Sequence, residues 1–264
     1  MQIDLSKRSA IVTGSTAGIG LAIATGLAKA GASVVITGRT QARVDEAIAA
    51  VKKVAPNAKI TGVAADLGTT EGGAALIKAV PQTDILVNNL GIFEPRDFFE
   101  IDDAEWSRYF DVNVISGVRL SRHYAKGMAE RGWGRVQFIS SESSIQTPPE
   151  MVHYGVTKTA QLAVSRGLAE VLAGTGVTVN ALLPGPTLSE GVSEFFGKIA
   201  KNDGKTQEQV ESEFIQTHRP TSLIKRLLSV DEVANVSVFL ASEEASGTTG
   251  ASFRVDGGVA RLIL

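Results

Sequence analysis

The chain has 264 residues, 44% hydrophobic and 20% charged, an ordinary globular composition with length enough for a large core. Twenty-six basic against 28 acidic side chains leave no basic footprint for nucleic acid, and the lack of cysteine excludes disulfides, thiolate catalysis and cysteine-ligated zinc. No apolar run reaches the ~20 residues of a membrane helix, and no signal-like apolar region precedes the first strand, so a soluble cytoplasmic protein is expected.

In chain order, short β-branched runs predict strands at 8–13, 33–37, 59–65, 85–87, 135–140, 177–182 and 252–255. Helical patterns fall between them at 19–30, 41–54, 70–79, 103–131, 152–173 and 230–241. Alternation of this kind predicts an α/β fold: a Rossmann-type, doubly wound parallel sheet of about seven strands with helices on both faces. Runs such as SVVIT and VTVNALL suit strands buried on both sides. The whole chain, 1–264, reads as one dinucleotide-binding domain. The stretch 184–228 breaks the rhythm: it is polar and helical without a strong apolar stripe. It is either a solvated excursion or a cover over the substrate, with Phe195-Phe196 as its apolar face.

After the first strand comes Thr13-Gly14-Ser15-Thr16-Ala17-Gly18-Ile19-Gly20, then a helix. A turn with little side-chain bulk lets backbone N–H groups and the positive end of a helix meet a pyrophosphate. Gly14 suits the tight turn, Gly18 the close approach and Gly20 helix-on-strand packing. Tyr154 and Lys158 lie four apart on a predicted helix and share a face. An ammonium beside a phenol favours phenolate, so a phenol pKa below the ordinary ~10 is expected. Ser140, Ser141, Ser143 and Ser144 cluster where the fifth strand ends. His123, His153 and His218 are scattered and hold no metal-ligand spacing; His153 reads as a pocket-rim residue rather than a base.

The spacing TGxxxGxG resembles the short-chain dehydrogenase/reductase family, and further motifs follow in that family's order. They are Asp66 in AADL, Asn88-Asn89-Leu90-Gly91, Asn113 in DVNV, Ser141 in FISSES, YxxxK at Tyr154 and Lys158, Pro184-Gly185, and Val255-Asp256-Gly257-Gly258. Leu90 replaces the family's usual alanine. The look is that of 3-oxoacyl-carrier-protein-reductase-like members. The resemblance implies catalytic roles for Asn113, Ser141, Tyr154 and Lys158, with Asn113 anchoring a water near Lys158. It implies cofactor contacts at Gly14, Ser15, Gly18, Ile19, Gly20, Asp66, Leu67, Asn88, Gly91, Tyr154, Lys158, Pro184, Gly185 and Thr187. It also implies pro-S hydride transfer and a homotetramer.

An acid about twenty residues beyond the glycine loop normally binds the ribose 2′-hydroxyl of NAD. Here the second strand ends Thr37-Gly38-Arg39, so a guanidinium stands beside the missing acid's place. Arg39 is either a solvated strand-end residue or a bidentate partner for a 2′-phosphate, which makes NADP(H) the expected cofactor, with NAD(H) still possible. The expected function is reduction of a small-molecule ketone or aldehyde, or oxidation of the alcohol. A non-catalytic NAD(P)-binding redox sensor is the rival, against which the serine, tyrosine and lysine argue.

Overall fold

The computed structural model describes residues 3–263. The chain begins with strand β1 (Ser9–Val12), helix α1 (Gly18–Lys29), β2 (Ser33–Gly38), α2 (Gln41–Val54), β3 (Ile60–Ala64), α3 (Thr70–Ala79) and β4 (Ile85–Asn88). It continues through α4 (Asp103–Phe110), α5 (Ser116–Glu130), β5 (Gly134–Ile139), α6 (Val152–Val171) and β6 (Val177–Pro184). Then come β7 (Thr187–Leu188), α7 (Glu190–Asp203), α8 (Gln207–His218), β8 (Leu228–Ser229), α9 (Val230–Leu240) and β9 (Ser252–Val255).

Seven strands form one all-parallel sheet in the order β3-β2-β1-β4-β5-β6-β9. The order reverses between β1 and β4, and the crevice at such a switch point is where open α/β sheets take ligands. The apolar central strands β4, β5 and β6 are buried along their whole length because helices cover both faces. On one face Ile23 and Leu27 of α1, Val44 and Val51 of α2, and Val233 and Leu240 of α9 pack on Ala10, Val12 and Ile36. On the other, Leu76 of α3, Leu120, Tyr124 and Met128 of α5, and Ala169 of α6 pack on Ile11, Leu86 and Val136.

Two segments differ from their sequence reading. The single helix expected over 103–131 is divided by a wide, π-helical turn at Asp111–Ile115, centred on Asn113. The 184–228 stretch is a helical hairpin, α7–α8, tied down by the parallel pair β7–β8. It has its own small core of Phe196, Ala200, Val210, Ile215 and Leu227. Phe196 is buried and Phe195 is exposed, so the two phenylalanines do not act as one apolar face.

Candidate active site

The glycine loop is fastened to β2. Ser15 N donates to the Thr37 carbonyl (3.1 Å), Thr37 N donates to Ser15 Oγ (2.9 Å), and Gly14 N donates to Thr37 Oγ1 (3.2 Å). Ser15 is therefore a buried strut whose side chain is used up inside the protein. Gly14 and Gly18 have φ of +60° and +56°, a region in which a Cβ is strained. A Cβ on Gly20 would strike the Gly14 carbonyl and the Asn89 side chain. Helices α2, α3, α4, α7, α8 and α9 each have a side-chain cap, whereas α1, like α5 and α6, has none, its N-cap position being Ala17. Its first N–H groups are left for a ligand, and Ala17, Gly18, Ile19 and Gly20 line a cavity of about 490 Å³. An uncapped helix start behind positive-φ glycines fits a pyrophosphate.

The opposite wall comes from β5 and α6. Ser140 Oγ donates to the Lys158 carbonyl (2.9 Å), and Lys158 Nζ donates back to the Ile139 carbonyl (2.9 Å). This reciprocal pair fixes α6 against the strand end and brings Ser141, Tyr154 and Lys158 to one cavity. The turn Glu142–Ser144 packs on α6 where Gly155 leaves room: a Cβ there would meet the Thr147 side chain. Gly91 has the same use, since its Cβ would lie 3.3 Å from Lys158 Nζ.

Burial raises the Tyr154 phenol above its ordinary range; the Ser141 hydroxyl, within hydrogen-bonding reach, lowers it, and the Glu142 carboxylate raises it. The expected depression by Lys158 is not found. The ammonium sits 5.5 Å from the Tyr154 ring centroid and bonds a backbone carbonyl instead of the phenol. Lys158 itself is 4% exposed, and burial lowers its pKa to about 7.

Asn113 is buried at the π turn and clamps the loop after β4. Its Oδ1 accepts from Ile92 N (2.8 Å), and its Nδ2 donates to the Ile92 carbonyl (3.1 Å) and Thr157 Oγ1 (3.0 Å). Its own carbonyl accepts from Gln161 Nε2 (2.6 Å). Asn113 thus holds the Gly91–Ile92 turn beside Lys158, with Gln161 on its own carbonyl. Asn88 is turned away from the cavity and donates to Ser121 Oγ (3.0 Å). Its neighbour Asn89, which the sequence reading passed over, lines the cavity and holds the Thr13 and Gly14 carbonyls.

His153 is not a rim residue. It is fully buried against Tyr109 (ring centroids 4.0 Å apart) and Trp106 (6.2 Å), and burial lowers its pKa. Pro184, Gly185 and Thr187 line the far side of the cavity, and Gly185 lies against the Asp256 backbone where a Cβ would be 2.8 Å from Cα. Arg39 and Asp66 are exposed at the ends of β2 and β3, and Leu67 is buried beneath. Two residues without a role in the sequence reading, Glu142 and Arg219, also line the cavity and are ion-paired at 3.0 Å.

Comparison with known proteins identifies the family. The sequence model of a family described as Enoyl-(Acyl carrier protein) reductase matches residues 14–260. The chain belongs to the short-chain dehydrogenase/reductase family. It is 47% identical over 263 residues to the uncharacterized oxidoreductase YvaG of Bacillus subtilis, covering 100% of both chains. It is 32% identical to the D-beta-hydroxybutyrate dehydrogenase of Rhizobium meliloti, covering 95% of this chain and 98% of that one. The crystal structure of L-sorbose reductase from Gluconobacter frateurii, complexed with NADPH and L-sorbose, superposes with a TM-score of 0.92 at 33% identity, covering 100% of both chains. The protein is an oxidoreductase acting on hydroxyl or carbonyl groups with a nicotinamide dinucleotide. Among the described residues no cluster suits a metal ion, and no helix is long and apolar enough to cross a membrane.

Proposed function

We propose that this enzyme is an NADP(H)-dependent reductase of ketones and aldehydes with Tyr154 as proton donor. The observation that carries the reading is the meeting of Ser141, Tyr154 and Lys158 across one cavity from the uncapped start of α1. Residues Gly14–Gly20 would hold the pyrophosphate, and the nicotinamide, once bound, supplies the hydride. Ser141 orients the substrate oxygen and Tyr154 protonates it. Burial keeps the phenol protonated at neutral pH, the form a proton donor must start from. Lys158 spends one N–H on Ile139; what remains can bond the nicotinamide ribose and, from the protonated form, return a proton to the phenolate.

The preference for NADP(H) rests on Arg39, exposed just beyond β2 where a carboxylate would select NAD. The NADPH bound in the L-sorbose reductase supports it. A homotetramer is the matching assembly: the groove between α5 and α6, lined by Val118, Ala125, Val164 and Leu168, offers apolar surface to a second copy. A panel of ketones, aldehydes and acyl thioesters followed by NADPH absorbance tests the reading. Turnover with NADPH well above NADH is expected, and an equal or greater rate with NADH would overturn the cofactor choice.

A further inference from the structure

Glu142 places a carboxylate where hydride transfer has no evident need of one. It directly follows Ser141, is 5% exposed and lines the cavity beside Ser141 and Tyr154. Its Oε2 accepts the Ser141 hydroxyl (2.7 Å), and its Oε1 accepts Nε of Arg219 (3.0 Å), which arrives from the end of α8. Ser141 Oγ already accepts from Ser143 N (3.1 Å). A serine has one O–H, so its only proton is directed at Glu142 and not at a reacting oxygen.

To hold a carbonyl oxygen, Ser141 must turn that proton away. With a simple ketone the turn strips a hydrogen bond from a buried, ion-paired carboxylate oxygen, a costly kind to leave unmade. A substrate that brings its own donor removes the penalty. We propose that Ser141, Glu142 and Arg219 together select carbonyls bearing a hydroxyl on the adjacent carbon: α-hydroxyketones and, in reverse, vicinal diols.

The inference rests on the reductase reading and adds its substrate class. The carbonyl oxygen takes the Ser141 proton while the neighbouring O–H donates to Glu142 Oε2. The two oxygens of a syn α-hydroxyketone stand a hydrogen-bond length apart, as do Ser141 Oγ and Glu142 Oε2. No bond is made or broken at Glu142; hydride and proton come from the nicotinamide and Tyr154 as above. Arg219 balances the buried charge, and of its five N–H groups only some are spent, on Glu142 and the His218 carbonyl. The remainder can meet further hydroxyls along a polyol, while Phe93 and Met151 offer apolar surface to its C–H groups.

Acetoin and 2-butanone differ by that one hydroxyl and make the test. Their kcat/KM values with NADPH are compared for wild type, Glu142→Gln and the double variant Glu142→Leu/Arg219→Leu, which leaves no unpaired buried charge. Wild type is expected to prefer acetoin by about 100-fold or more, because a site built to bond a hydroxyl rejects the analogue lacking it. The double variant should bring the preference below about tenfold, and Glu142→Gln should lower it by about tenfold. NADPH binding reports whether each variant is folded; if the double variant does not bind, Glu142→Gln decides. Equal use of the two ketones by wild type, or a preference untouched by these substitutions, overturns the inference and leaves the reductase intact. No turnover of any carbonyl overturns both.

Discussion

The sheet that carries the glycine loop and the hairpin that carries Arg219 are packed in different ways. Strands β4, β5 and β6 are buried end to end between two helical layers, and Lys158 of α6 is cross-tied to the end of β5 through its bond to the Ile139 carbonyl and the Ser140 bond to its own. The α7–α8 hairpin rests on a core of five buried residues and reaches the cavity only at its ends, through Ser189, Gly191, Val192 and Arg219. The reacting groups thus stand on the sheet and α6, while Arg219, which faces the same cavity, stands at the end of the hairpin with the smaller core. The two regions should respond differently to substitution.

On the sheet side, Lys158→Met should abolish most turnover, by about 100-fold or more, and also weaken NADPH. The same change should stabilise the fold. Burial lowers the Lys158 pKa from 10.5 to about 7, so folding expels a proton between those values. The unfolded chain binds the extra proton there, so stability from this group rises as pH climbs from 7 toward 10.5, and its cost is full below 7. Thermal scans should give Lys158→Met a Tm higher by about 3 °C or more at pH 7, with the gap closing near pH 10. An equal or lower Tm at pH 7 would show that the lysine is not held at a cost.

On the hairpin side, Phe196→Ala removes a buried ring and should cost about 3–5 kcal/mol of local stability, read as faster hydrogen exchange through α7 and α8 with the sheet unchanged. Phe195→Ala, at an exposed position, should stay within about 0.5 kcal/mol of wild type. Equal effects would deny the hairpin a core of its own. At the far end of the crevice, Arg39→Ala should weaken NADPH by about 10- to 150-fold and leave NADH nearly unchanged. Equal loss of both cofactors would remove Arg39 from the 2′-phosphate. The smallest effect joins the two regions. Glu142 raises the Tyr154 phenol, so Glu142→Gln should move the alkaline limb of the alcohol-oxidation profile to lower pH. A shift to higher pH would contradict that sign.

The central strands were legible because buried parallel strands are continuous apolar runs, as at β4 and β6, and helical periodicity placed α2 and α3 at 41–54 and 70–79. That Tyr154 and Lys158 share a face was legible from helical spacing, whereas their catalytic roles came only from the family resemblance. The π turn at Asn113 was not, since apolar periodicity runs through it unbroken and only the backbone widens. Nor was the Glu142–Arg219 pair: 77 residues separate the partners, and local pattern says nothing of their meeting. His153 was misplaced because adjacency in sequence to Tyr154 turns it toward α4, where Tyr109 and Trp106 wait. The hairpin core did leave a signal, Phe196 and Ala200 one helical turn apart, obscured by the charged residues around it.

The proton donor is the centre of the account, and Tyr154→Phe addresses it most directly, since it keeps the ring and removes only the hydroxyl. NADPH affinity should hold while kcat falls by about 100-fold or more, the usual contribution of a positioned acid. A variant that still binds NADPH and retains most of the wild-type kcat would contradict the assignment of Tyr154.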